Sequence, residues 1–148
     1  MKKALATSLM LLFSFSANAD WQFEVLKTSV KEKISLTQEY ELYTGDTILQ
    51  DNEKQAPKGF KFAFIEIKAT NQDASAPKLI SDNFTLHIKN DSFSRVKEDN
   101  FLLDYQIKPF PHLNLKKGTH KGTLLFEIPE HIDATNLMLQ YENTQISK

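Results

Sequence analysis

Residues 59–73, GFKFAFIEIKATNQD, alternate with period two, yet both phases are apolar over most of the stretch. Phe60, Phe62 and Phe64 fall on one face, and Ala63, Ile65, Ile67 and Ala69 on the other. Such alternation specifies a β-strand, and a strand in a half-solvated sheet is apolar on one face only. The segment therefore predicts a strand covered on both sides. The cover for the phenylalanine side must come from elsewhere: the N-terminal strand carrying Trp21 and Phe23, or the irregular stretch 97–112.

The rest of the chain carries the same period in shorter runs. WQFEVLKTSV (21–30) sets Trp21, Phe23 and Val25 against Gln22 and Glu24, and ISLTQEYELY (34–43) sets Ile34, Leu36, Tyr40 and Leu42 in one phase. Residues 44–58 are polar and broken by Gly45 and Pro57, which predicts a loop with at most a short strand near Ile48. DNFTLHIKND (82–91) points Phe84, Leu86 and Ile88 inward, and a turn at Asn90-Asp91-Ser92 leads to a short return over 93–96. Pro109 and Pro111 keep 97–112 irregular, with a helical turn expected within 97–105. GTLLFEI (122–128) and NLMLQYE (136–142) close the pattern. No stretch sustains a period near 3.6. Seven or eight short strands spaced by turn residues predict an all-β fold, an antiparallel β-sandwich. Sandwiches bury one face of each sheet, so Ile65, Ile67 and Ala69 are expected in the core between the sheets.

Composition adds location. Lys2 and Lys3, an apolar run over 5–15 and Ala17-Asn18-Ala19 form a Sec-type signal peptide, with cleavage expected after residue 19 and a single domain over 20–148. The product is expected to be periplasmic or extracellular, with no membrane span after cleavage. Cysteine is absent, which excludes disulfides and a lipid-modified cysteine. The 18 basic residues less Lys2 and Lys3 leave 16 against 19 acidic, a net charge of about −3. Arg95 is the only arginine and the lysines are scattered, so no basic patch for nucleic acid is expected.

Several stretches carry a family resemblance. KFAFIEIKATNQD (61–73), SDNFTLHIKND (81–91), LNLKKGTHKGTLLFEIPE (113–130) and LMLQY (137–141) resemble a large bacterial group of exported immunoglobulin-like domains, domain-of-unknown-function family 4352, similar in fold to immunoprotective extracellular antigens. The resemblance spans about residues 59–142 and implies an exported immunoglobulin-like sandwich. It carries no catalytic residues. Phe62 and Phe64 depart from the family's small aliphatics, and 97–112 has no counterpart.

Candidate chemistry is thin. His87, His112, His120 and His131 form no HxH or HxxxH pair, and Met138 is the one methionine beyond the leader, so no metal or other cofactor is expected. No nucleophile elbow, phosphate loop or dinucleotide fingerprint occurs. Glu98 and Asp99 are adjacent, which on a strand sends them to opposite faces, so no catalytic residue is assigned. The strongest binding candidate is FLLDYQIKPFPHL (101–113), with Phe101, Tyr105 and Phe110 as contact residues; its alternative role is a packing lid. The chain is expected to be a non-enzymatic binding module whose partner is another protein or an envelope component. The alternatives are an inhibitor or immunity protein against an envelope-acting toxin or hydrolase, and a carrier of a small apolar ligand. Oligomeric state leaves no mark in the pattern.

Overall fold

The computed structural model describes residues 21–73, 77–133, 135, 137–142 and 144–146. The proposed signal peptide lies outside the described residues. Eleven strands are present among them: β1 (Gln22–Lys31), β2 (Lys33–Glu41), β3 (Thr47–Gln55), β4 (Phe60–Asn71), β5 (Leu79–Ile80), β6 (Phe84–Ile88), β7 (Asp91–Ser94), β8 (Asn114–Leu115), β9 (Gly118–Pro129), β10 (Met138–Tyr141) and β11 (Thr144–Ile146). Two 3-10 turns join them, η1 (Ser81–Asn83) and η2 (Asn100–Tyr105). No helix among the described residues is long and apolar enough to cross a membrane.

Seven strands make an antiparallel sandwich. One sheet runs β1-β4-β9 and the other β11-β10-β6-β7. Ala63, Ile65, Ile67 and Ala69 of β4 face the second sheet, where they meet Phe84, Leu86 and Ile88 of β6 and Leu139 of β10. Phe23 stacks edge-on against Phe84 with ring centroids 5.5 Å apart, and Phe110 meets the same ring at 5.7 Å. Such edge-to-face pairs are a preferred aromatic geometry.

The opposite face of β4 builds a second, smaller core. Phe62 and Phe64 are buried there with Ile34, Leu102 and Leu125. Their cover is η2 and the base of β2, not the strand bearing Trp21 and Phe23, which packs into the main core. Phe60, beyond the reach of this cover, is exposed.

The edge of β9 is closed by the chain itself. Phe110 donates its backbone N–H to Thr123 O and Thr123 donates to Lys108 O, both at 2.8 Å, while Val96 N–H reaches Leu125 O at 2.8 Å. This strap comes so close that a Cβ on Gly122 would stand 2.6 Å from the Phe110 backbone nitrogen. Glycine is required there for contact, not for turning.

Two differences from the sequence pattern stand out. The predicted 44–58 loop holds the nine-residue strand β3, whose residues are nearly all exposed and so carry no apolar alternation. The first strand contains a β-bulge between Val25 and Lys27. It reverses the phase, so that Lys27, Ser29 and Lys31 join Phe64 and Phe62 on the outer face.

Candidate functional site

β2 and β3 pair in register over their full length, from Lys33 opposite Gln55 to Glu41 opposite Thr47, and join no other strand among the described residues. At about 3.3 Å per residue the ribbon is roughly 30 Å long. The loop is pinned by Leu42 N–H to Asp46 O at 2.7 Å and Gly45 N–H to Leu42 O at 2.8 Å. Gly45 takes φ +84°, a region glycine adopts without penalty.

One face of the ribbon continues the face that builds the second core. Ile34 is buried, Leu36 is half-buried, and Tyr40 and Leu42 each retain 42% exposure. Tyr40 stands directly opposite Ile48, which is also exposed. At the base, Lys33 bonds Glu53 at 2.7 Å; that hydrogen bond holds Lys33 above and Glu53 below their ordinary ranges. Lys54 lies over the Phe101 ring at 5.1 Å. Farther out, beside Gln38 and Asn52, the ribbon parts from η2 over a cleft also lined by Leu103 and Tyr105. Every residue from Glu39 to Asp51 is exposed. That distal half carries Tyr40, Leu42, Tyr43, Ile48 and Leu49, four carboxylates (Glu39, Glu41, Asp46, Asp51) and no basic residue. Tyr43 projects fully at the tip and Leu49 is 69% exposed. Tyr40, Leu42 and Ile48 share one face of the ribbon, and Leu49, opposite Glu39, shares the other with Glu41 and Asp51. Exposed apolar side chains beside charge are characteristic of contact surfaces.

The sequence candidates occupy a different place. Phe101 and Tyr105 are half-buried over the second core, with the Phe101 ring 6.3 Å from Phe62. Phe110 is fully buried on the other side of the sheet, in the main core. The three therefore share no surface, and Phe110 has none to present; this stretch packs as a lid and a plug. The hairpin was missed because its outer strand reads as polar loop. The signal that could have found it is Tyr40 and Leu42 continuing the phase of Ile34 toward a glycine turn.

A second polar cluster lies under the strap. Arg95, 3% exposed, bonds Asp99 at 3.3 Å and donates to the carbonyls of Phe110 and Pro111. Burial pulls its pKa below the ordinary arginine range, opposed by the charge of Asp99. His112 lies between Asp99 at 2.6 Å and Asp82 at 2.9 Å. Both ring nitrogens are thus occupied by carboxylates, leaving neither to activate a nucleophile. The cluster ties η1, η2 and the strap together, a positional role of the kind buried ion networks fill. His87 bonds Thr85 at 2.9 Å, and His120 packs on Trp21 with ring centroids 6.0 Å apart. No cluster of three or more metal-ligating side chains occurs among the described residues.

Comparison with family models, with curated proteins and with solved structures returns no match to this chain.

Proposed function

We propose that the protein is an exported, non-enzymatic, immunoglobulin-like module that binds another protein at the bacterial cell envelope through the distal half of its β2–β3 hairpin. The observation that carries this reading is the apolar, acidic ribbon end, which is exposed throughout and belongs to neither core. Full burial of one large apolar side chain is worth about 1.5–3 kcal/mol. Five such residues, from 42% exposed at Tyr40 and Leu42 to fully exposed at Tyr43, leave part of that gain for a partner to use. An isolated two-stranded ribbon is marginal in water, so the base packing of Ile34 on the Phe62 core serves to present this end. The carboxylates make the partner surface basic around an apolar centre. A ribbon roughly 30 Å long also suits insertion into an enzyme cleft, which favours the inhibitor reading as the second choice.

The test compares capture of envelope proteins by the wild-type chain and by a Leu42→Ser/Tyr43→Ser/Leu49→Ser variant. The expected result is loss of a protein retained by the wild type, with an unchanged melting temperature. Equal capture by both would place binding elsewhere.

A further inference from the structure

The outer face of the β1-β4-β9 sheet carries a cleft of about 520 Å³ beside the base of the hairpin, within the range of about 300–1,000 Å³ that ligand pockets span. Its apolar lining is Ile34, Phe64 and Ile107, and around these stand Lys27, Lys31, Lys108 and Lys121 with Glu66 as the one acid. Lys121 faces outward from β9, opposite Lys68, and two local features bring the other three lysines there. The bulge in β1 turns Lys27 and Lys31 outward, and η2 ends at Gln106 in the left-handed conformation (φ +60°), leading the chain into Ile107 and Lys108 at the rim. None of these four lysines has an ion-pair partner within 4 Å among the described residues. The distal hairpin is the complement: apolar side chains, four carboxylates and, again, no cationic partner. Matched opposite potentials around apolar centres set register and speed encounter.

We propose that the occupant of this cleft is the hairpin of a second copy of the chain. Tyr43 and its neighbours enter over Phe64 and Ile107, while Glu39, Glu41 and Asp51 meet the lysine rim. Hairpin and cleft are different surfaces, so two copies that exchange hairpins reciprocally close into a two-fold dimer, whereas a one-way contact is heterologous and runs on head to tail. This assignment rests on the hairpin being a contact surface, and it names that surface's partner.

The test is sedimentation velocity on the full chain, expressed with its own N-terminal leader and purified in the form that results. The wild type is expected to rise with concentration from monomer to at least dimer. It should return to monomer as added salt shortens the screening length from about 30 Å at 0.01 M to about 3 Å at 1 M. Glu39→Lys/Glu41→Lys and Lys27→Glu/Lys121→Glu chains are each expected to stay monomeric alone and to associate when mixed, because each hairpin then faces an opposite cleft. A wild type that remains monomeric at low salt, or a mixture that fails to associate, overturns the proposal. A monomeric wild type that still captures an envelope protein through the hairpin would leave the binding function standing and remove only the second copy as its partner. Loss of both would end the two readings together.

Discussion

β4 and β2 carry the same period-two writing and meet opposite fates. In β4 both faces are covered: Ile65 and Ile67 by the facing sheet, Phe62 and Phe64 by η2 and the hairpin base. In β2 one apolar face starts under that cover at Ile34 and then leaves it, ending in exposed Tyr40 and Leu42. Alternation thus fixes which side chains share a face, while burial depends on what another element sets against that face. A face that continues past its cover is the place where a partner gains most.

The largest effect that probes this contrast is at Ile67, fully buried between the sheets. Ile67→Asp places a carboxylate with no hydrogen-bond partner in that core, and an uncompensated buried charge costs several kcal/mol or more. Total stability of a domain is only about 5–15 kcal/mol, so loss of the cooperative thermal transition in circular dichroism is expected. A variant that melts like the wild type would mean that Ile67 does not face the second sheet.

Next comes Phe62, 1% exposed on the opposite face. Phe62→Ala removes the centre of the small core and is expected to cost about 3–5 kcal/mol, the usual range for a large aromatic deleted from a packed site. The variant should still fold, with the urea midpoint lowered and the slope unchanged. A loss under about 1 kcal/mol would show that η2 rests loosely on this face, contrary to the packing of Leu102 and Leu125 around it.

Much of this arrangement was legible in the chain, for a physical reason. Wherever a strand is covered, its buried side chains are apolar at alternate positions, and β1, β4, β6, β9 and β10 declared themselves that way. β3 did not, since its partner is one exposed strand and nothing selects an apolar face along Asp51 to Gln55. The bulge in β1 was also invisible, because Leu26 and Lys27 fit either phase until the register with Ile67 and Glu66 is known. The candidate contact stretch was misleading for a related reason. Phe101, Tyr105 and Phe110 are aromatic because they cover two separate cores, and an aromatic loop reads the same from sequence whether it faces a partner or its own sheet. The hairpin's exposed end was half legible: Tyr40 and Leu42 kept the inward phase, but only the structure reveals that the body of the protein stops short of them.

The smallest global effect is expected at Tyr40, and there the location of the change matters more than its size. Tyr40 stands directly opposite Ile48 on one face of the ribbon, and such a cross-strand pair contributes roughly 0.2–1 kcal/mol. Tyr40→Ser removes that pair without opening either core, so the melting transition should move by less than about 0.5 kcal/mol, as for most exposed sites. The loss should instead appear locally, as faster amide exchange of the bonded N–H groups of the distal hairpin while β4 and β9 keep their protection. Phe62→Ala is expected to produce the reverse distribution, speeding exchange throughout the molecule. Should Tyr40→Ser lower the stability of β4 and β9 as well, the hairpin end would be coupled to the body, and its exposed apolar face would be part of the fold and no longer a surface held for a partner.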